Sequence, residues 1–327
     1  MSAPGAVTLL GPQRLAPTLP DVVRAAGIDL QSSSCAPMAT ITAGWQERED
    51  DDRDLVDALL GNTVNLRLYA RAADIFERDT ELTAAHSERG RRLRDLQSLY
   101  ELRLGHAMDA VYELAERLDG GQLVDDEIRS ALDAVRVLDQ RLLERSGEVI
   151  DEFVEQWRPA ERDVVAAHRA DVATILAESC GLAIAGGQVP TLLNRIHLLG
   201  VADHVAGLPV FAWSAGAMIA TERIVVFHDD PPHGRPYARM FEHGLGWFPG
   251  VVAMPDARRR LHLDDPLRIG FLARRFAPAV CLGFDDGAHL VSPIDGGNSS
   301  SSERRDVIVR RGVLHLSDDG SVDELAA

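Results

Sequence analysis

The chain has 327 residues, 46% of them apolar and 5% aromatic, which is room for one large domain or two ordinary ones with a sizeable buried core. Its formal net charge of −17 is spread over short acidic clusters such as Glu47 to Asp52, and this argues against nucleic acid or an anionic membrane surface as a partner. Three cysteines, Cys35, Cys180 and Cys281, have neither a paired spacing nor a metal-ligand pattern, and neither a basic leader nor a membrane-length apolar run is read, so a cytoplasmic setting without metal or cofactor is expected.

In chain order, Ala6-Val7-Thr8-Leu9-Leu10 predicts a buried strand ended by Gly11-Pro12. Thr18 is placed to cap a helix running through Val22, Val23 and Ala26 to Gly27, and residues 38–43 predict a second strand with Gly44 behind it. This β-α-β opening implies a parallel sheet.

The texture then changes. There is no proline between Pro37 and Pro159, and charge is dense. Leu104, Ala107, Val111, Leu114 and Leu118 recur in steps of three and four. After the turn at Asp119-Gly120-Gly121, Ile128, Leu132, Val135, Leu142, Val149 and Phe153 continue a similar stripe. The predicted fold class is α/β: a helix-flanked parallel sheet from residues 1–54 and 173–327, interrupted by a helical insertion, residues 55–172, folded as a hairpin or small bundle. Its stripe reads mainly as core packing; on a projecting arm it would also bury against a second subunit or another protein, and a monomeric mass at micromolar concentration would count against the dimer.

From Cys180 the sheet pattern resumes. Residues 181–185 predict a strand, Gly186-Gly187-Gln188 a turn, and 191–199 a helix. Leu208 to Trp213 is a short apolar run of the kind buried on both faces of a parallel sheet, followed by the small-residue helix from Ala215 to Ala220. Ser214, pinched between them, has the setting of a nucleophile elbow, where a sharp strand-to-helix turn lifts Oγ above the sheet. Ala215 N–H would then face a developing oxyanion, with Gly187 N–H as second donor from the neighbouring strand end. A serine here also suits a helix N-cap, and a double glycine suits a plain tight turn. After a His- and Pro-rich loop (228–236) come a strand at 251–253, a strand at 279–284 turning at Asp285-Asp286-Gly287, a polar loop at 296–302, a closing hairpin (307–309 and 313–316, joined by 310–312) and a frayed acidic end.

Ala185-Gly186-Gly187-Gln188, Thr191-Leu192-Leu193 and Trp213-Ser214-Ala215-Gly216-Ala217, in this order, resemble the aspartyl dipeptidase (dipeptidase E) and cyanophycinase family of serine peptidases. Gly244-Leu245-Gly246-Trp247-Phe248-Pro249-Gly250, Gly283-Phe284-Asp285-Asp286-Gly287 and His228-Asp229-Asp230-Pro231 resemble later segments of that family; the helical insertion lies outside the match. The resemblance implies a class I glutamine-amidotransferase-like fold, Ser214 as nucleophile, Gly187 and Ala215 as oxyanion hole, Asp286 in place of a glutamate, and Asp229 matching the dipeptidase aspartate. It also implies a small peptide or amide substrate with an acidic side chain, near Gln188 and Arg258.

One departure stands out. The family's histidine position is held by Asp256, and a carboxylate with an ordinary pKa of about 3.9 is a feeble base for a serine hydroxyl. His228, His233, His243 and His262 lie in the flanking stretch; His243 and His262, the latter expected on the following helix, are the leading substitutes, each also fitting an ordinary surface histidine. Arg258, Arg259 and Arg260 suit an acidic substrate group or local ion pairs. The sequence thus leaves two readings: a serine hydrolase with a noncanonical base, or an impaired descendant that binds a partner through its helical arm. A hydrolase completed from a second subunit is a third.

Overall fold

A computed structural model describes residues 3–117, 121–230, 236–292 and 308–325. The chain runs β1 (Val7–Leu10), α1 (Leu19–Ala25), β2 (Met38–Ile41), α2 (Arg53–Ala58) and β3 (Thr63–Asn65), then through four helices, α3 (Leu68–Arg78), α4 (Thr80–Ala115), α5 (Gln122–Trp157) and α6 (Asp163–Ala177). It continues with β4 (Gly181–Ile184), α7 (Val189–Leu198), β5 (Val210–Trp213), α8 (Ala215–Ala220), β6 (Arg223–Val226), β7 (Arg239–His243), β8 (Val251–Pro255) and α9 (Ala257–Arg260). The last elements are α10 (Pro266–Phe276), β9 (Val280–Val291), β10 (Ile308–Leu316) and β11 (Val322–Glu324).

The fold is mixed α/β with a mostly parallel central sheet. Its order is β11-β10-β9-β1-β5-β4-β2-β3, with β8 paired beside β9. The strands β1, β5, β4, β2 and β3 are mutually parallel, and β9, β10 and β11 close one side antiparallel. Alternation along each parallel strand feeds two cores. Leu9, Leu182, Ile184, Val210 and Ala212 face α3, α6, α7 and α8. Leu10, Ala183, Phe211 and Trp213 face α1 and α2. Burial on both faces is why these strands read as unbroken apolar runs, and each fully buried Leu or Phe contributes roughly 1.5–3 kcal/mol.

The long helices α4 and α5 lie side by side and return onto the body of the protein. Tyr100, Leu104, Met108 and Val111 of α4 and Leu132, Val135, Leu142 and Leu143 of α5 share one buried cluster with Val225, Phe227, Met240 and the α10 residues Ile269, Phe271 and Phe276. Much of the predicted stripe is thus covered within the chain. Residues 55–65, expected in the helical stretch, form part of α2 and then β3, which pairs in parallel with β2.

Several local expectations are corrected. Thr18 precedes α1 but its side chain makes no cap bond; Gln13 Oε1 accepts the N–H groups of Thr18 and Leu19 instead, each at 2.8 Å. The strand expected to turn at Asp285-Asp286-Gly287 continues to Val291, because β9 passes there from pairing with β8 to pairing with β1. The expected closing hairpin is a single strand, β10, whose register slips on either side of Arg311. The acidic end is ordered by β11 pairing onto β10. Cys180, at the start of β4, has its thiol pushed up to about 12 by burial and by a hydrogen bond with Cys35, so two of the three cysteines are neighbours in space despite their sequence separation. Residues 118–120, His233, Val307 and the loop at 296–302 lie outside the described residues. Among the described residues no helix is long and apolar enough to cross a membrane, and no group of three or more His, Cys, Asp or Glu is arranged to hold a metal ion.

A cavity of about 830 Å³ separates α4 and α5 from α7 and β7. Burial pushes the Glu242 carboxyl in its wall up to about 7, with Arg89 pulling the other way. Below about pH 4.5 this group is protonated in folded and unfolded chains alike; as pH rises to 7 the unfolded chain ionises first and the folded chain loses stability. Glu242→Gln is therefore expected to match wild type near pH 4.5 and to exceed it by about 2–3 kcal/mol above pH 7. The difference between the two proteins is the quantity to measure, by urea denaturation, because His86, pushed down to about 4 by burial and Arg89, acts in the opposite direction over the same range. Equal stability at pH 8 would show that the carboxyl is better solvated than its place in the wall implies.

Candidate functional site

Ser214 stands where β5, locked in register to β1 through Trp213 and Leu10, meets the first residue of α8. Its backbone is at φ 52°, ψ −120°, a region L residues avoid and which costs about 1–3 kcal/mol. The side chain makes no cap bond to α8, and among the described residues Oγ has no hydrogen-bond partner, so the N-cap alternative does not describe it. The turn after β4 lies directly against it. A Cβ on Gly186 would stand 2.6 Å from Ser214 Cβ, and Gly187, at φ 120°, would place one 2.4 Å from the carbonyl carbon of Gly44. Any side chain at either position would push the turn off the serine. The N–H groups of Gly187 and Ala215 donate to no acceptor among the described residues, leaving two backbone donors unspent beside Oγ. Gln188 N–H donates to Gly44 O at 2.8 Å and fixes this turn to the loop after β2.

That loop holds a second strained residue, Gln46, at φ 58°, ψ −123°. Its Nε2 donates to Gln188 Oε1 at 3.0 Å and to Thr191 Oγ1 at 3.3 Å. Gln188, expected to contact substrate, thus has its side-chain oxygen engaged by Gln46 and by the Thr191 hydroxyl.

The carboxylates gather on the other side of β1. Asp256 follows β8 in the left-handed conformation (φ 64°) and pairs with Arg259 and Arg260. Asp286 is exposed, whereas Asp285 is half-buried: its Oδ1 accepts Arg258 N–H at 3.0 Å and its Oδ2 lies 3.2 Å from Arg258 Nε. Burial raises the Asp285 pKa, and the like charges of Asp256 and Asp286 add to it. The arginine cluster is therefore spent on local ion pairs. Asp285 sits on β9, across β1 from Ser214, so two strand spacings, roughly 10 Å, separate their backbones.

None of the nominated histidines that the structure describes hydrogen-bonds to Ser214. His243 is on β7 opposite Arg223, and the next residue, Gly244, donates to Glu222 O; this is the far end of α8, about 9 Å along the helix from the serine. His262 lies in the turn between α9 and α10, not on the helix expected, with Nε2 2.8 Å from Asp230 Oδ2; that hydrogen bond raises its pKa. His228 Nδ1 accepts the Asp230 N–H at 3.1 Å. Asp229 is buried and committed, with Oδ1 2.8 Å from Arg268 Nη2 and Oδ2 accepting His262 N–H at 2.6 Å.

The structure thus brings Ser214, Ala215 and Gly187 together, places Gln188 beside them, and gathers Asp256 and Asp285 with Arg258, Arg259 and Arg260 into a separate group of ion pairs, next to which Asp286 is exposed. Asp285 and Gln46 were missed by sequence reasoning. Strand alternation carried a signal for the first, since consecutive residues of a strand extending past Phe284 must point to opposite faces. For Gln46 nothing local in the sequence signals a positive φ.

No family model matches the chain, and no curated protein matches it significantly. Among solved structures it is similar to the crystal structure of a peptidase from an acI-B1 Actinobacterium, at 12% identity and a TM-score of 0.42, over 99% of this chain and 98% of that one. At that degree of superposition the likeness says nothing of the chemistry, which rests on the residues of this chain.

Proposed function

We propose that the protein is a serine hydrolase of the dipeptidase E and cyanophycinase type, on a class I glutamine-amidotransferase-like fold, that opens a small peptide or amide bond through an acyl-Ser214 intermediate. The observation that carries this reading is the strained elbow: Ser214 at φ 52° with an unengaged Oγ and two unspent N–H donors, Gly187 and Ala215, beside it. Attack by Oγ on the carbonyl carbon would place the oxyanion between those donors, and the Oγ proton would pass through water to a carboxylate rather than to an imidazole. Asp285, with its raised pKa, and Asp256 are the carboxylates of the neighbouring cluster. Such a relay is weak, so slow turnover is expected.

A second reading, favoured by the lack of an imidazole on Oγ among the described residues, is a binding protein that keeps the elbow and recognises its partner with the helical arm; a dimer through that arm belongs to the same reading. A fluorophosphonate probe separates the two. Under the first, the wild-type protein is labelled slowly and faster as pH rises, and Ser214→Ala abolishes labelling. Absence of labelling up to pH 9 would leave the binding reading.

A further inference from the structure

The cavity between the arm and the sheet holds two guanidinium groups that the protein itself does not neutralise. Arg89 of α4 and Arg195 of α7 both line it, and among the described residues neither forms an ion pair. The Nε atoms of both are buried with no hydrogen-bond partner. Their planes are held by aromatic faces: Arg89 lies 4.6 Å from the Phe153 ring centre, and Arg195 lies 5.1 Å from that of Phe76 and 5.7 Å from that of Tyr69. Between them the polar groups run short of acceptors. Arg89 Nη2 is 2.9 Å from His86 Nε2, the same nitrogen is 3.0 Å from Asn194 Oδ1, and Asn194 Oδ1 already accepts Arg195 Nη1 at 2.7 Å. If His86 Nε2 accepts from Arg89 it cannot donate to Asn194; if it donates to Asn194, Arg89 loses its acceptor.

Burying two cations against a donor-rich wall is unfavourable unless something brings negative charge and acceptor oxygens to them. Nearby charges fall short of that. Glu242 acts on Arg89 without reaching ion-pair distance, Arg158 is paired with Glu161 at 3.5 Å, and Arg169 with Asp203 at 2.8 Å. Leu93, Ile150, Leu193 and Phe241 give the wall an apolar stretch beside these polar groups, and a volume of about 830 Å³ suits a ligand of drug-like size. We propose that this cavity binds a small organic anion, its carboxylate or phosphate oxygens on Arg89 and Arg195 and its apolar body against the arm. The site also reaches Gln188, the residue after Gly187, and Thr191 on the first turn of α7, so an occupant would sit next to the oxyanion turn.

The test uses three isosteres, naphthalene-2-carboxylate, 2-naphthyl phosphate and uncharged naphthalene-2-carboxamide, titrated calorimetrically into the full chain. At least one anion is expected to bind at least about tenfold more tightly than the carboxamide; whichever anion wins identifies the head group. Arg89→Met and Arg195→Met should each weaken that anion by about tenfold or more, while Ser214→Ala binds as wild type, so the result stands apart from the fate of the elbow. Gly90→Leu, on α4 in the cavity wall, keeps both arginines in the chain while projecting bulk into the space beside Arg89, and is expected to weaken all three by about tenfold or more, covering the case in which an arginine variant does not fold. Equal affinity for anions and carboxamide, undiminished binding to the arginine or Gly90→Leu variants, or no anion binding at millimolar concentration would overturn the proposal.

Discussion

Asp139→Ala is expected to lower the stability of the folded chain by about 3–5 kcal/mol. Asp139 of α5 forms a two-pronged pair with Arg275 of α10, at 2.7 and 2.8 Å, and their side chains are 7% and 2% exposed. Tyr100 of α4 closes the triangle, its hydroxyl donating to Asp139 Oδ1 at 2.7 Å and accepting from Arg275 Nη2 at 2.9 Å and from Met240 N–H at 3.0 Å. Arg275 Nη1 reaches Ala238 O at 2.6 Å. This network joins both arm helices to the body, and with every partner present its desolvation is offset. Removing the carboxylate leaves a buried guanidinium uncompensated. The double variant Asp139→Leu with Arg275→Met removes both charges and is expected to be closer to wild type than either single change, a non-additivity that denaturant titration of the four proteins would resolve. A loss below about 1 kcal/mol for Asp139→Ala would mean that the arm is held by its apolar stripe alone.

Gly187→Ala is expected to reduce fluorophosphonate labelling of Ser214 by about a hundredfold or more, the loss typical of an oxyanion donor moved out of place. The added Cβ would meet the Gly44 backbone at 2.4 Å in a conformation, φ 120°, that alanine avoids, so the turn must move and carry its N–H away. Gly246→Ala is the control: it too has a positive φ, 66°, but open space where the Cβ would go. Backbone strain without displacement of the turn should leave labelling nearly intact. Similar losses in both variants would show that strain, not the position of Gly187, governs the serine.

What was legible in the sequence is local. The runs from Val7, from Gly181 and from Val210 read as strands because a parallel sheet buries both of their faces, and a segment that must be apolar throughout announces itself without its neighbours. Ser214 between a strand and a run of small residues was visible for the same reason, since the elbow is made of adjacent residues. The antiparallel side was less legible. β9 bends and changes partner at Asp285 and β10 slips register around Arg311, and pairing between distant segments, not composition, decides where such strands begin and end.

Encounters between distant residues were set by the three-dimensional packing. Alone, Asp256, Arg258 and Asp286 read as a site; folded, Asp256 takes Arg259 and Arg260, Asp285 takes Arg258, and Asp286 faces solvent. His243 and His262 were plausible by chain distance to Ser214, yet one lies at the far end of α8 and the other beside Asp230. Arg89 and Arg195 are 106 positions apart on helices of different character, and nothing in either neighbourhood marks them as a pair. Which segments must be buried, and where one serine is forced into a sharp turn, follow from neighbours along the chain and so are written in the sequence. Which charges find partners, and which are buried without one, depends on distances across the fold between residues that share no local pattern.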